Sequence, residues 1–91
     1  MYIVMVRNIA KEGMEAEYMD VSKKMMDDMK KLKGCVDARV LQAEENASII
    51  IDEIVWEDKE ASKIDDGSVF LKYKPQLRPL FVKNTTETFL E

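Results

Sequence analysis

The side chains that could take part in chemistry are few in this sequence, and Asn8 is the first of them. It lies late in an apolar run, where the alternation of side chains along a β-strand would place it on one face with Tyr2, Val4 and Val6. A carboxamide among apolar neighbours must find a hydrogen-bond partner. Asn8 could therefore hold a substrate oxygen or a developing anion, or it could bond to nearby backbone where the strand ends.

Two tyrosines are candidates for acid–base chemistry. Tyr18 and Tyr73 fall on predicted helices whose apolar stripes should face a sheet. A phenol in such a position could donate a proton to a substrate or orient a substrate hydroxyl. The alternative is that both rings belong to the core and that only their hydroxyls reach its edge.

Arg39 and Arg7 could stabilise an enolate or a phenolate, because a positive charge near the reacting oxygen favours the anion. Arg39 lies in the middle of a predicted strand, and Arg7 directly precedes Asn8. Arginines in strands also form ion pairs at dimer interfaces. For Arg39 the available partners are three carboxylates, those of Asp37, Asp52 and Glu53.

Large apolar side chains could form the wall of a pocket for a flat hydrophobic substrate. Trp56, at the end of a predicted strand, is either such a wall or a core anchor that buries a large apolar area. Met25 shares a helix stripe with Met29, and its soft side chain could adapt to a ligand or fill the core. Tyr18 and Phe70 complete the predicted substrate-binding residues.

The composition excludes several kinds of site. The chain has no histidine, which removes the usual general base and the usual ligand of zinc and of haem. Its single cysteine, Cys35, cannot form an intrachain disulfide. No cluster of acidic residues has a metal-binding spacing. We therefore expect no bound metal.

The charge and hydropathy of the chain bear on its partners. Eighteen acidic residues against 14 basic ones give a net charge of −4, whereas a nucleic-acid binder usually carries a basic excess. No apolar run approaches the roughly 20 residues needed to cross a bilayer. We therefore expect a protein that binds neither nucleic acid nor membrane. Because the N-terminus shows no export signal and there is only one cysteine, we expect it to be cytoplasmic.

The elements that must position these residues are led by one long helix. Apolar residues recur at helical spacing over residues 14–33, with charged residues between them and Gly34 placed as a C-terminal cap. Runs of β-branched and other apolar residues predict four strands, which cover residues 2–9, 35–43, 48–56 and 82–90.

Two further helices are predicted between the third and fourth strands. Asp58 should cap a short helix that ends near Asp65, before a break at Asp66-Gly67. Ser68 should cap a second helix over residues 69–80. Pro75 lies inside that helix, so we expect a kink or break near residues 71–75.

The resulting order, βαββαβ, predicts a ferredoxin-like α+β fold in a single domain covering residues 1–91. A four-stranded antiparallel sheet takes its helices on one face. Because the first and third predicted strands are apolar on both faces, the other face also needs a cover. A small protein usually hides such a face against a copy of itself, so we expect a homodimer whose two sheets pack face to face.

Several short motifs follow one another along the chain. They are the Lys11-Glu12-Gly13 turn, the Lys33-Gly34-Cys35 step into a strand, the Val55-Trp56 strand end with its acidic cap and Glu60-Ala61, Ser68-Val69-Phe70 at a helix start, and Arg78-Pro79-Leu80 at a helix end. In this order they resemble the antibiotic biosynthesis monooxygenase family of dimeric α/β barrels. The resemblance covers nearly the whole chain.

This resemblance implies a pocket between helices and sheet, and a cofactor-independent monooxygenase acting on a small aromatic or quinol substrate. Several family members have a catalytic Asn at the place of Asn8, which supports that residue, with Tyr73 and Arg39 as further catalytic candidates. Haem-degrading relatives carry a histidine that this chain lacks, which disfavours haem degradation. The alternative function is a non-catalytic homodimeric module that binds a small hydrophobic ligand.

Overall fold

The computed structural model describes residues 1–64 and 67–91, and its elements follow the predicted order. The predicted end of the short helix near Asp65 and the start of its break at Asp66 lie outside the described residues. No described helix is long and apolar enough to cross a bilayer. The elements are strands β1 (Tyr2–Ala10), β2 (Cys35–Gln42), β3 (Ile49–Trp56) and β4 (Phe81–Leu90), and helices α1 (Glu15–Met29), α2 (Lys59–Ile64) and α3 (Ser68–Leu77), with a 3₁₀ turn at Arg78–Leu80.

The four strands form one antiparallel sheet in the order β2-β3-β1-β4. This order and the succession of elements confirm the ferredoxin-like α+β fold. Strand β1 pairs with β3 on one side and with β4 on the other, which explains why its sequence is apolar on both faces. The register places Asn8 beside Ile50 on β3 and beside Asn84 on β4, so these three side chains share one face of the sheet.

Helix α1 covers that face with the predicted apolar stripe. Tyr18, Val21, Met25 and Met29 are all buried, and so is the intervening Ser22. The helix is shorter than the sequence pattern predicts. It ends at Met29, and the chain then turns through short-range backbone hydrogen bonds, such as the one that the Leu32 amide donates to the Met29 carbonyl.

Helix α3 also differs from the prediction at both ends. Its first residue is Ser68, and the capping position is taken by Gly67 with a φ of 82°. Pro75 lies inside an unbroken helix, so the expected break near residues 71–75 is not seen. An interior proline removes one backbone donor and crowds the carbonyl four residues earlier. The helix ends two residues after Pro75, at Leu77, and gives way to the 3₁₀ turn, where Pro79 occupies one of the first positions.

The opposite face of the sheet, here called the open face, has no fully buried residue on β1 or β3. On β1 the alternate positions Ile3, Met5 and Ile9 are half-buried or exposed, and on β3 the same holds for Ile51 and Val55. Charged side chains of both signs lie among them. The open face is therefore an apolar surface that no described part of the chain covers.

Gly34 is expected to be the glycine least tolerant of substitution. Its φ is +85°, and a Cβ built there would lie 2.7 Å from Ala61 Cβ. Gly13 has the same backbone conformation, with φ +83°, but a Cβ there meets nothing within 4 Å. Substituting each glycine therefore distinguishes the cost of backbone strain, which both share, from the cost of steric overlap, which only Gly34 has.

We predict that Gly34→Ala lowers the free energy of unfolding by about 2–4 kcal/mol, because backbone strain and overpacking add. The control Gly13→Ala should lose only about 1–2 kcal/mol, the cost of the left-handed conformation. Urea denaturation followed by circular dichroism measures both. Equal losses in the two variants would show that the contact with Ala61 relaxes without cost.

Candidate functional site

A cavity of about 330 Å³ lies between the sheet, α1 and α3. Its floor is formed by side chains of the central strands, and one wall by α1. Most of the lining is apolar. The apolar and aromatic residues that line it are Val6, Tyr18, Met25, Met26, Met29, Ile54, Phe70, Leu77 and Phe81.

Asn8 lies on the floor of this cavity and is 1% exposed. Its amide nitrogen faces three acceptors: the Val6 carbonyl at 3.2 Å, the Ile50 carbonyl at 3.0 Å and Asp52 Oδ2 at 3.2 Å. An amide nitrogen has only two hydrogens to donate. Its donors are therefore taken up within the sheet, and the atom left for a ligand is the acceptor Oδ1.

Asp52 lies next to Asn8 on the floor and is 3% exposed. Burial raises the pKa of its carboxyl to about 7, although the hydrogen bond from Asn8 and the nearby Ser22 hydroxyl act in the opposite direction. Its second oxygen, Oδ1, is buried and has no hydrogen-bond partner among the described residues. Asp52 is thus a carboxyl whose pKa lies near neutrality and whose second oxygen is unpartnered among the described residues.

Two side chains of α1 stand over Asp52. Ser22 is fully buried, and its Oγ makes no hydrogen bond of good geometry with the described residues, yet its hydroxyl is close enough to lower the pKa of Asp52. Burial, and then the charge of Asp52, raise the pKa of the Tyr18 phenol. Tyr18 therefore remains a proton donor, and its ring meets Phe81 edge-on with centroids 6.1 Å apart.

The mouth of the cavity has a different character from its floor. Lys74 near the end of α3, Arg78 at the start of the 3₁₀ turn and Asn84 on β4 line the cavity and are exposed. Phe70, one turn before Lys74, lies beside them and is 42% exposed. The cavity thus runs from a buried carboxyl at the floor to two cations at the mouth.

Four of the predicted site residues line the cavity and three do not. Asn8, Tyr18, Met25 and Phe70 are in its lining, whereas Trp56, Tyr73 and Arg39 are outside it. Trp56 is 4% exposed and belongs to the hydrophobic core. Arg39 lies opposite Glu53 in the pairing of β2 with β3, and its Nε donates to Glu53 Oε1 at 3.0 Å on the open face.

Tyr73 connects the two main helices instead of facing the cavity. Its hydroxyl donates a short hydrogen bond to Asp28 Oδ2 on α1, and Lys72 Nζ lies 3.2 Å from the same oxygen. These two contacts hold the pKa of the Asp28 carboxyl below its usual value. The cluster fixes α3, and with it the mouth of the cavity, against α1.

The sequence analysis did not assign a role in the site to Asp52, Lys74, Arg78 or Asn84. Strand β3 reads as apolar on both faces, but Asp52 alternates with Ile50 and Ile54, and this inward position is a signal for a buried carboxyl. Phe70, Lys74 and Arg78 follow one another at intervals of four, which places both cations on the helix face of a predicted substrate-binding residue. No comparable signal in the sequence marks Asn84.

The arrangement suits proton transfer to or from a small apolar molecule. A general base is most effective when its pKa lies near the working pH, and the Asp52 carboxyl meets that condition. Most of the lining is apolar, and electrostatic interactions are stronger in surroundings of low polarity. Among the described residues, no three acidic or cysteine side chains come together as a metal site would require.

The sequence model of the antibiotic biosynthesis monooxygenase family matches residues 1–64 of this chain. No curated protein matches it in sequence. Among solved structures, a candidate antibiotic biosynthesis monooxygenase from Nitrosomonas europaea is similar with a TM-score of 0.90 at 9% identity, over 100% of this chain and 98% of that one. A conserved protein from Methanosarcina mazei has a TM-score of 0.83 at 23% identity, with 97% and 89% covered.

A third similar structure is that of a conserved protein of unknown function from Bacteroides thetaiotaomicron, described as a possible oxidoreductase. Its TM-score is 0.85 at 15% identity, over 97% of this chain and 94% of that one. At such identities, the three structures establish a shared fold.

The burial of Asp52 should make stability depend on pH. Since its pKa is about 7 in the folded protein and about 3.9 in an unfolded chain, the folded state binds the proton more tightly. The stabilisation is complete below pH 4 and is lost as the pH rises through 7. We predict that the wild-type protein loses about 2–3 kcal/mol of unfolding free energy between pH 5 and pH 8.

The variant Asp52→Asn cannot ionise and should show little of this loss, while its side-chain oxygen can still accept from Asn8. Urea denaturation at pH 5, 6, 7 and 8 provides the measurement. Asp20→Asn, at an exposed position of α1, is the control and should keep the wild-type slope. Parallel slopes for the wild type and Asp52→Asn would contradict a raised pKa at this carboxyl.

Proposed function

The chain belongs to the antibiotic biosynthesis monooxygenase family, and on that premise we propose that it is a cofactor-independent monooxygenase that acts on a small aromatic quinol in the cavity. The observation that carries the proposal is the Asp52 carboxyl. It is buried beside an apolar cavity, has a pKa of about 7 and keeps Oδ1 unpartnered among the described residues. Such a group is suited to remove a hydroxyl proton from a bound quinol.

The first step is the transfer of one hydroxyl proton from the quinol to Asp52 Oδ1. A phenol has a pKa of about 10 in water, so little of it is ionised at neutral pH without a base. The apolar walls leave the proton few other acceptors. The phenolate that forms is electron-rich and is the species that reacts with oxygen.

In the second step the phenolate transfers one electron to O₂, and the resulting radical pair combines at a ring carbon to give a peroxide anion. Asp52 returns its proton to the outer peroxide oxygen, the O–O bond breaks, and the ring carbon loses its hydrogen as a proton. One oxygen atom stays on the ring as a carbonyl and the other leaves in water. Quinol and O₂ thus give a hydroxyquinone and water, and all electrons come from the substrate.

Asn8 acts in this scheme through Asp52 as a positioning residue. Its amide nitrogen, held by the Ile50 carbonyl, donates to Asp52 Oδ2, which leaves Oδ1 without a partner among the described residues. Its own Oδ1 can accept a hydrogen bond from the second hydroxyl of the quinol. This differs from a role as a donor to a developing anion, because the donors of the amide are already engaged.

A non-catalytic module that binds a hydrophobic ligand is the alternative function. Three methionines, Met25, Met26 and Met29, line the cavity side by side on α1. Such flexible, polarisable side chains adapt to ligands of different shape. In that case aromatic ligands should raise the melting temperature by mass action without any oxygen being consumed.

The monooxygenase proposal predicts oxygen uptake with at least one member of a quinol panel, and none of the hydroxyquinone product under anaerobic conditions. Asp52→Asn should lower kcat/KM by about 10²–10⁴-fold, the usual contribution of a general base. For the wild type, kcat/KM should rise with pH through about 7, as Asp52 loses its proton. An oxygen electrode and product analysis provide the measurements.

Asn8→Ala should lower kcat/KM and also displace the pH profile, because Asp52 loses a hydrogen bond that favours its ionised form. Asp20→Asn, far from the cavity on the exposed side of α1, is the control with wild-type activity. Wild-type turnover in Asp52→Asn would exclude this carboxyl as the base. Ligand-induced stabilisation without oxygen uptake would favour the binding module.

We also propose that a second copy of the chain covers the open face, with the two sheets packed face to face. The support is the exposure of apolar side chains there, including Phe89 at 43% and Ile9 at 38%, and the small size of the chain, since a domain of this length buries only about 60–65% of its surface alone. Arg7 and Lys83 lie toward one end of this face and Glu87 farther along β4, so opposite charges can meet across a twofold axis.

The dimer proposal predicts a species of twice the chain mass of 10.6 kDa at micromolar concentration. Ile51→Glu, in the middle of the open face, should give a folded monomer, because a desolvated unpaired charge is costly at an interface. Leu71→Glu, at a position on α3 that is 59% exposed, is the control and should remain dimeric. Sedimentation measures the oligomeric state of each variant, and circular dichroism checks that it is folded. A monomeric wild-type protein would refute the proposal.

A further inference from the structure

The mouth of the cavity has a charge opposite to that of the chain. The protein has a net charge of −4, yet the lining residues include Lys74 and Arg78, and Asp52 is the single acidic residue among the described residues of the lining. Asp52 is buried at the floor. The accessible end of the cavity is therefore positive within a negative molecule.

Lys74 and Arg78 are held next to each other by the helix. The Arg78 amide donates to the Lys74 carbonyl, and Arg78 keeps helical angles of φ −50° and ψ −44° although the 3₁₀ turn begins there. Residues four apart in a helix are neighbours on one face, and like charges in this relation repel each other. An anion bound between the two side chains would remove that repulsion.

No described carboxylate forms an ion pair with either cation. In the part of the chain that the structure describes, ion pairs join Lys30 to Asp27, Lys31 and Lys72 to Asp28, and Arg39 to Glu53. Asp28 contacts α3, but its carboxylate already accepts hydrogen bonds from Lys72 and Tyr73. Cations near the end of a helix also interact favourably with its dipole, but this does not require them to line a cavity.

We propose that the mouth of the cavity is a carboxylate-binding subsite, and that the ligand is an aromatic acid with a hydroxyl at the end of the ring system remote from the carboxylate. Lys74 and Arg78 hold the carboxylate, with the Asn84 amide as a further donor. The hydroxyl then reaches Asp52 Oδ1 at the floor. This inference rests on the proposed function, since it takes the Asp52 end as the site of chemistry.

The subsite has two consequences for the reaction. It fixes which end of the substrate enters first, because a carboxylate at the floor would meet Asp52. It also attracts anionic substrates to a protein that would otherwise repel them, since local charge at a cleft raises the association rate of ligands of opposite sign. The substrate class is therefore a quinol that carries a carboxylate.

The test uses compounds that bind but do not react with oxygen. They are 6-hydroxy-2-naphthoate, which carries both groups at opposite ends, and 2-naphthol, which lacks the carboxylate. Isothermal titration calorimetry at pH 7 should show at least tenfold tighter binding of the acid. This preference should weaken as salt is added, because the contact is electrostatic.

The double variant Lys74→Gln/Arg78→Gln should bind the acid and 2-naphthol with similar affinity, while its affinity for 2-naphthol stays within twofold of the wild type. Lys23→Gln/Lys24→Gln, on the exposed side of α1, removes the same charge elsewhere and should keep the preference. A general loss of packing would weaken the binding of both ligands and would leave the ratio of their affinities unchanged.

Equal affinity of the wild type for both compounds, or a preference that survives in the Lys74/Arg78 double variant, would overturn the subsite. Binding that follows the expected pattern, together with no oxygen uptake by any quinol, would overturn the monooxygenase proposal alone. Oxygen uptake that is equally efficient with neutral and carboxylated quinols would overturn the subsite alone.

Discussion

The hydrogen bond from Asn8 to Asp52 joins the two central strands on the face where the helices pack, and the character of the cavity depends on it. A carboxyl taken out of water is costly unless its oxygens are bonded. Here one oxygen accepts from Asn8, and the other has no partner among the described residues. The protein thus keeps a partly satisfied carboxyl at the centre of its sheet, where apolar side chains would give a more stable core. Such a departure from the rules of core packing is typical of functional sites.

The rest of the fold supports this pair. Strand β1 supplies Asn8 and β3 supplies Asp52, and both strands are central, so their backbones are fixed by neighbours on two sides. Helix α1 closes the space above them with Tyr18, Ser22 and a row of methionines. Helix α3 forms the remaining wall and is tied to α1 by Asp28 through Tyr73 and Lys72. The tie keeps the cationic end of α3 at the mouth.

The two faces of the sheet have separate tasks. The helix-covered face holds the cavity and its titratable groups, and the open face carries apolar side chains with a few charges. Arg39 illustrates the separation. It is one residue from the buried Ala38 in sequence, yet strand alternation places it on the open face with Glu53. A residue that is attractive as a catalytic arginine by its type is thereby removed from the cavity.

Much of this protein could be predicted from sequence, because the relevant signals are local. Strand alternation, the apolar stripe of α1 and the Asp58 cap, whose Oδ1 accepts from the Ala61 amide at 2.8 Å, depend on residues a few positions apart. The order of elements and the fold class followed from them, and Asn8 could be singled out as a polar residue on an apolar strand face. The family was indicated by the resemblance of several short motifs in their order along the chain. The tertiary structure alone decided the rest, since the pKa of Asp52 and the grouping of Asn8 with Asn84, Lys74 and Arg78 depend on segments that are far apart in the sequence. Burial and strand register create these properties, and neither is encoded in the spacing of neighbouring residues.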